Sequence, residues 1–238
     1  MSTSPLLHTP LNNQLLSALP REDYTHILHA LELVELIPGK VLYEVTDTIR
    51  HAYFPLSGMI SLLAITENGN TIEIAMIGKE GMVGLPMVLG TYKTPYRIMV
   101  QVRGRAMKIR ANPLRAEFER GGRLHEILLR YTSQVLTQIS QSAVCNHFHT
   151  AEQRLSRWLL VTQDRTHSNE FSLTQEVISH MLGIPRTHVT KRARVLQEKG
   201  LIRYTRGRIN IINLGGLEAA SCECFRMVKD EIASFLAA

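Results

Sequence analysis

The feature that most constrains the fold is a pair of short helix patterns followed by a hairpin pattern in the last third of the chain. The first helix pattern begins at Thr174, a favoured N-cap residue, and ends at Gly183, which permits the left-handed turn that stops a helix. The second begins after Pro185, whose fixed backbone angle suits a helix start. Two helices joined by a three- or four-residue turn with a glycine form a helix-turn-helix. The alternating segment that follows predicts a hairpin with a basic tip at Arg206-Gly207-Arg208, so we expect a winged helix-turn-helix.

Positive charge is concentrated in the same region. From Arg186 to Arg208 there are eight lysines or arginines and one acid, Glu198, which more than accounts for the net charge of +6. An α-helix fits the major groove of B-DNA, where arginine and lysine bond guanine O6 and N7, while basic residues on a wing neutralise phosphates. A merely solvated helix would need neither the small Ser179 where the helices cross nor the basic hairpin. The sequence therefore predicts binding to double-stranded DNA, with these candidate contacts: Arg186, Thr187, His188, Thr190, Lys191, Arg194, Arg206 and Arg208.

The first half of the chain has a different pattern. Two short helices are predicted within residues 12–34. Between residues 38 and 109, short segments rich in Val, Ile, Tyr and Phe alternate with turn signals, and Asn68-Gly69 is a good hairpin signal. Such short strands at near-even intervals predict a small antiparallel roll or barrel. The fold class is therefore α+β, with an N-terminal antiparallel β-roll.

A long segment without glycine or proline follows Gly121-Gly122 and predicts a long helix. Its apolar residues recur at steps of four and three, the spacing of a helix seam. They are Leu124, Leu128, Tyr131, Val135 and Ile139. The stripe fits either a core helix or a dimer seam, and the polar flanks and the length of the segment favour a dimer seam. We therefore expect a sensor roll with flanking helices at 1–121, a dimerisation helix and hinge at 122–150, and a DNA-binding domain at 151–238.

These segments together resemble the Crp/Fnr superfamily of bacterial transcription regulators, from about Leu15 to the C-terminus. The segment "YFPLSGMISLL" resembles an early strand pair of the sensor roll, which is the family's cyclic-nucleotide-binding-like domain. The segment "LHEILLRYTSQVLTQIS" resembles the dimer helix, and "LTQEVISHMLGIPRTHVTKRARVLQEKGLI" the DNA-reading motif. The resemblance implies a homodimer that binds a palindromic operator, contacts RNA polymerase and responds to a signal sensed by the roll.

The same resemblance implies roles for individual residues of the motif. It implies that Arg186, Thr187 and Lys191 read bases and that Thr174 and Gln175 contact phosphates. Two positions depart from the family pattern: Pro185 stands where a capping serine is common, and Arg192 where an apolar residue is usual.

The family's cyclic-nucleotide cassette is also altered in this sequence. The family uses a Gly-Glu pair and a following Arg-Ser pair, but here Leu85 follows Gly84, and Thr94-Pro95 falls where Arg-Ser is expected. A buried phosphate without an arginine loses its strongest charge-assisted bonds, and Arg97 or Lys93 is the nearest substitute. An effector pocket is thus expected at Gly84, Leu85, Thr94 and Arg97, for an unknown small molecule rather than cyclic AMP. A constitutive, ligand-independent regulator is an alternative.

Three cysteines and several histidines are candidate cofactor or metal ligands. No cysteine precedes Cys145, whereas an iron–sulfur cluster of this family needs about four, usually near the N-terminus. His51 is one of few haem-ligand candidates in the sensor half. Cys145 and His149 share a helix face, with His147 between them, but no fourth ligand is near in sequence, so packing is favoured. The pair Cys222 and Cys224 is too tightly spaced for a usual zinc pair. We predict no metal and no cofactor, and keep as an alternative a redox- or metal-responsive regulator through either group.

Other classes of protein are not expected. No compact His/Glu ligand set or nucleophile–base pattern occurs between residues 40 and 110, so the chain is not predicted to be an enzyme. The apolar runs are far shorter than a membrane span, and the N-terminal sequence lacks the basic start and apolar stretch of a signal peptide. With only three cysteines, a reducing compartment fits, and we expect the cytoplasm.

Overall fold

The computed structural model describes residues 12–237, which divide into two compact units. The first unit contains the described residues up to Leu62, then Met76–Leu136 and the end of the chain from Ser234; the second contains Leu63–Ala75 and Thr137–Ala233. The helices are α1 Gln14–Ser17, α2 Arg21–Leu28, α3 Ala111–Glu119, α4 Arg123–Phe148, α5 Ala151–Thr166, α6 Gln175–Leu182, α7 Arg186–Glu198, α8 Leu214–Ala219 and α9 Cys224–Ala237. The strands are β1 Glu32–Leu36, β2 Val41–Tyr43, β3 His51–Pro55, β4 Met59–Ile65, β5 Thr71–Ile77, β6 Arg97–Val102, β7 Gly104–Arg110, β8 Glu170–Ser172, β9 Ile202–Thr205 and β10 Arg208–Ile211. Within residues 12–237, no helix combines the length and the apolarity needed to cross a bilayer.

Strands β1 to β7 form two sheets, as expected for a roll. One has the order β1-β7-β3 and the other β2-β6-β4-β5. The predicted hairpin between β4 and β5 is confirmed. Gly69 turns the chain with a φ of 78°, and its backbone N–H donates to the carbonyl of Thr66 at 2.9 Å. A side chain at this φ would be strained, so glycine suits the position.

Helix α4 is confirmed as one long helix of 26 residues, but its predicted dimer seam is wrong for most of its members. Leu124, Leu128 and Tyr131 have no exposed surface, and Val135 exposes 7%. The Tyr131 hydroxyl also donates to the carbonyl of Met82 at 2.9 Å. Side chains buried by their own chain cannot meet a second copy. The spacing of four and three marks any stripe that faces a core, and it marks the core here.

The glutamines beside the apolar stripe of α4 explain why it was predicted to be a dimer seam. Gln134 and Gln138 look like polar flanks in the sequence, yet both are buried with the stripe. Ile139, the last predicted seam residue, is only partly buried, and its place in a seam stays a prediction.

The second unit is built around α5. Thr150 and Gln153 form a capping box at its N-terminus, and the buried Trp158 donates from Nε1 to the Glu73 carboxylate at 2.9 Å. The Arg154 guanidinium donates to the carbonyl of Leu182, which is the last residue of α6. A cation bonded to the last carbonyls of a helix favours its C-terminal end. Helix α5 therefore holds α6 in place.

Candidate nucleic-acid interface

The predicted helix-turn-helix is formed by α6 and α7. Thr174 caps α6 by accepting a hydrogen bond from the backbone N–H of Val177 at 3.2 Å. Gly183 ends α6 with a φ of 60°. Ser179 is more than the small residue that its position suggested, because its hydroxyl donates to the carbonyl of Ile184 at 2.6 Å. The turn is therefore fixed by a side chain as well as by its glycine.

Helix α7 has one buried face and one exposed basic face. Val189, Ala193 and Leu196 are buried. The exposed residues include every predicted contact on this helix, together with Arg192: Arg186, Thr187, His188, Thr190, Lys191 and Arg194. Within the described chain, no carboxylate pairs with Arg186 or Lys191, whereas Arg194 is paired with Glu198 at 2.8 Å. The two unpaired cations are thus free to contact an anion.

Gln175 and Thr190 link the two helices. The Thr190 hydroxyl donates to Gln175 Oε1 at 2.8 Å, so the N-terminus of α6 is tied to the exposed side of α7. With its oxygen used in this way, the Gln175 amide can still donate from its nitrogen. The Thr190 hydroxyl proton is already donated to Gln175. Direct contact of Thr190 with DNA stays a prediction.

The wing is the hairpin of β9 and β10, joined by Arg206 and Gly207. Both turn residues have positive φ, 49° and 77°, which is typical of the two-residue turns that match strand twist. The backbone N–H of Leu173 donates to the carbonyl of Gly207 at 2.7 Å, so the wing tip lies beside the start of α6. Burial raises the pKa of Tyr204, and its protonated hydroxyl donates to the carbonyl of Leu173 at 2.9 Å.

The open face of the wing sheet carries a basic cleft of about 700 Å³. Arg203, Arg206 and Arg208 all line it, and Glu170 is the one acid among the described residues that line it. Arg203 was not among the contacts predicted from the sequence. Arg203 and Thr205 are two residues apart on β9, so their side chains lie on the same face of the strand, and this spacing could have placed Arg203 on the face of the wing-tip arginines.

Replacing Arg206 by Asn should separate the charge of the wing from its fold. Asparagine tolerates a positive φ better than most residues, so we expect the thermal midpoint of Arg206→Asn to match or exceed that of the wild type. If Arg206 contacts a phosphate in each half of a dimer, the slope of log affinity against log salt should become shallower by about 2. Thermal unfolding and fluorescence anisotropy with labelled duplex DNA measure the two effects. An unchanged slope would remove Arg206 from the interface.

None of the four predicted effector residues lines either of the two cavities described, at the wing sheet and beside α1. Thr94 is buried, and its hydroxyl donates to the carbonyl of Tyr96 at 2.8 Å. Arg97 is partly exposed and donates from Nε to Glu44 at 2.8 Å. Gly84 has a φ of 115°, and a Cβ there would lie 3.1 Å from the Ala52 Cα. Leu85 begins a short 3-10 turn, Leu85–Met87. Thr94 and Arg97 are thus already engaged within the chain, and the effector pocket stays a prediction.

The cysteines form a cluster that the sequence did not indicate. Cys145 Sγ lies 3.6 Å from Cys222 Sγ, and Cys224 Sγ lies 3.5 Å from His149 Nδ1. His147 is exposed and packs edge-on against Phe148. The hydrogen bond between Cys145 and Cys222 lowers the pKa of the Cys145 thiol and raises that of Cys222. The haem-ligand candidate His51 is on β3, where burial and Lys108 lower its pKa.

Two domain families match the chain, one over the predicted N-terminal roll and one over the predicted C-terminal helix-turn-helix. The cyclic nucleotide-binding domain matches residues 33–120, and the Crp-like helix-turn-helix domain matches residues 153–220. The chain belongs to the Crp/Fnr superfamily. Members of this superfamily with these two domains are transcription regulators, and the predicted roll, long helix and winged helix-turn-helix are confirmed as its fold. None of the curated proteins compared with the chain matches it significantly.

Solved structures of other proteins share the fold at low sequence identity. A CRP/FNR-family transcriptional regulator from Thermus thermophilus is 23% identical with a TM-score of 0.66, over 80% of this chain and 98% of that one. FixK2 from Bradyrhizobium japonicum is 14% identical with a TM-score of 0.69, over 81% and 98%. The cyclic-di-GMP-responsive global regulator CLP from Xanthomonas campestris is 13% identical with a TM-score of 0.67, over 81% and 99%.

Proposed function

We propose that this Crp/Fnr regulator binds a palindromic operator as a homodimer, each copy placing α7 in the major groove of one half-site. The half-sites of such dimers lie about one helical turn apart, roughly 34 Å. The boundaries that we propose are a sensor roll at 1–121, a dimerisation helix and hinge at 122–150, and a DNA-binding domain at 151–238. The observation that carries the proposal is the exposed basic face of α7, with Arg186 and Lys191 unpaired among the described residues.

The residues of the interface divide into two groups by position. Arg186, Thr187 and Lys191 lie on the first two turns of α7, so we assign them to base edges. Basic residues of a wing and polar residues at a helix start commonly hold phosphates. We assign that role to Thr174, Gln175, Arg206 and Arg208. His188 and Arg194 lie on the same exposed face, and Arg194 already has an acidic partner.

The dimer seam that we propose lies on the face of α4 opposite the core stripe. Leu129 and Leu136 are seven residues apart and expose 47% and 60% of their surface. Ser133 and Ser140, also exposed, fall between and after them at alternating steps of four and three. This is the heptad spacing of two helices packed side by side, and the small serines permit a close approach.

The operator can be identified and the DNA assignment tested together. Selection of bound duplexes from a random library, followed by gel shifts, should give an inverted repeat that the protein binds more tightly than a scrambled duplex. Equal binding to both would refute sequence-specific recognition. An in vitro transcription assay on that operator then tests contact with RNA polymerase, which we propose from the family alone, as we do action in the bacterial cytoplasm.

The affinity for the operator should fall steeply with salt. Arg206 and Arg208 in both halves would neutralise four phosphates, which corresponds to a slope of about −4 in log affinity against log salt. Between 50 and 200 mM salt, affinity should therefore fall by about 100-fold or more, as measured by anisotropy titrations. A slope near zero would contradict the phosphate contacts of the wing.

We propose that the roll does not hold cyclic AMP by the family's phosphate–arginine contact. This is supported by the internal hydrogen bonds of Thr94 and by the pairing of Arg97 with Glu44. The same observations favour a different effector or a ligand-independent regulator. Calorimetry with cyclic AMP, cyclic GMP and cyclic di-GMP shows whether any of the three binds. Gel shifts on the operator with and without a nucleotide that binds then show whether it changes the affinity for DNA, as an effector would. Micromolar binding of cyclic AMP would overturn the proposal.

A further inference from the structure

Four potential metal ligands meet in the second unit from distant parts of the sequence. Cys145 is near the end of α4, and His149 follows that helix directly. Cys222 lies in the loop before α9, and Cys224 is the first residue of α9. The two pairs are remote from each other in the sequence, which offered them only as separate alternatives. In the structure, one ligand atom from each residue lies within 4.8 Å of all the others.

The distances suit one tetrahedral ion. Zinc binds thiolate sulfur at about 2.3 Å and imidazole nitrogen at about 2.0–2.1 Å, so neighbouring ligand atoms in a tetrahedral site are about 3.5–3.8 Å apart. The Cys145–Cys222 sulfur pair and the Cys224–His149 pair are already at 3.6 and 3.5 Å. The remaining pairs lie within 4.8 Å, so closure needs movements of about 1 Å or less in this cluster.

The surroundings of the cluster orient these ligands as they do in metal sites. His149 turns Nδ1 to the sulfur atoms, while its Nε2 lies 3.2 Å from the Glu223 carboxylate. A ligating histidine usually donates its second ring N–H to such a group, which fixes the ring and its tautomer. Gln141 donates from Nε2 to Cys224 Sγ at 3.0 Å. A packing cluster of small apolar side chains would need neither contact.

Burial and charge also fit a closed site. Cys145 and Cys224 have no exposed surface, Cys222 exposes 4%, and the His149 side chain exposes 12%. Three thiolates and a neutral imidazole around a dication leave one negative charge. Arg154 and Arg157 both interact electrostatically with Cys145, and each has a buried Nε with no hydrogen-bond partner in the described chain. Their positive charge can balance that of the cluster.

We propose that Cys145, His149, Cys222 and Cys224 bind one zinc ion, which joins the end of α4 to the start of α9. Four protein ligands leave no open position, so the ion is structural rather than catalytic. Sulfur-rich tetrahedral sites of this kind select zinc among the common divalent metals. On binding, the thiol protons pass to solvent and the sulfur atoms form bonds to the metal. None of the four ligands is among the proposed DNA contacts or the predicted effector residues.

A disulfide between Cys145 and Cys222 is the main rival, because their sulfur atoms are close. It would leave Cys224 and the oriented His149 without a role. The two possibilities differ in mass, in thiol count and in metal content, so one preparation of protein distinguishes them.

The test begins with the full chain purified without chelators or thiol reagents, with metal measured by mass spectrometry. We expect one zinc per chain in the wild type and in the control His147→Ala, which removes the exposed histidine two residues away. Zinc should fall to background in His149→Ala and in the double variant Cys222→Ser, Cys224→Ser. A wild type with no more zinc than the double variant, or with a Cys145–Cys222 disulfide, would overturn the proposal.

A second measurement needs only the wild type, in case the variants do not fold. After zinc is removed by a chelator under reducing conditions, cobalt(II) is added in steps. A tetrahedral site with three thiolates should give intense visible bands and thiolate-to-cobalt charge transfer that saturate at one cobalt per chain, and added zinc should abolish both. Weak bands typical of octahedral cobalt would overturn the proposal.

Discussion

Replacing Arg186 by alanine should weaken binding to the selected operator by at least about 30-fold. A bidentate contact between arginine and guanine contributes about 1–3 kcal/mol of discrimination, and a dimer loses two of them. Arg186 is the first residue of α7 and is exposed, and no carboxylate in the described chain competes for its guanidinium. Lys191→Ala should act in the same direction. Anisotropy titrations on the operator and on a scrambled duplex at one salt concentration measure the loss and its dependence on sequence.

The control for this prediction is Arg115→Ala. Arg115 is exposed on α3 and paired with Glu119, so its removal takes away the same charge from a surface outside the interface. We expect its operator affinity to stay within about twofold of the wild type. Arg194→Ala should be intermediate, since its guanidinium must leave Glu198 before it meets DNA. Equal affinities for the wild type, Arg186→Ala and Lys191→Ala would place the reading face elsewhere.

Replacing Leu136 by aspartate should convert the dimer to monomers and weaken operator binding by about 100-fold or more. Leu136 exposes 60% of its surface on the proposed seam, where two copies would bring two carboxylates together in an apolar contact. Once the halves separate, each half-site is bound independently and the gain from linkage is lost. Light scattering after gel filtration measures the mass, and anisotropy measures the affinity.

Two comparisons make this result specific. Leu89→Asp changes another exposed leucine, 48% exposed, and should leave the dimer intact. Leu128→Asp places the charge on the core stripe, where the side chain has no exposed surface, and should lower the thermal midpoint instead. A folded, dimeric Leu136→Asp protein would show that the seam does not lie on this face.

The sequence was sufficient for the DNA-binding half because its signals are local. Thr174 as a cap and Gly183 as a stop each act within one turn of the backbone, and the alternation around Arg206 acts within one hairpin. For the same reason the Asn68-Gly69 turn could be placed in advance. Local rules of this kind fix elements and exposed faces with few alternatives.

The dimer seam and the cysteine–histidine cluster could not be predicted from the sequence, because both depend on which surfaces come into contact. An apolar stripe at steps of four and three looks the same in sequence whether it packs on its own chain or on a second copy. Tyr131 was therefore predicted to contact a second copy, although it is buried within its own chain. The exposed leucines Leu129 and Leu136 alternate with serines on their face of α4, so they form no continuous apolar stripe in the sequence. The ligand cluster was missed because its halves are remote in sequence. Cys222 and Cys224 are too close in sequence for a usual zinc pair, but in the structure His149 and Cys145 lie within 4.8 Å of them and complete a set of four ligands.

The contact between Trp158 and Glu73 has a practical consequence, because Trp158 is the only tryptophan in the chain. Its indole is buried and bonded to a residue of the segment Leu63–Ala75. Indole emission shifts to longer wavelength as water reaches the ring. The protein thus carries an intrinsic fluorophore at the place where this segment packs, and its emission wavelength reports whether that packing is closed or open without any added label.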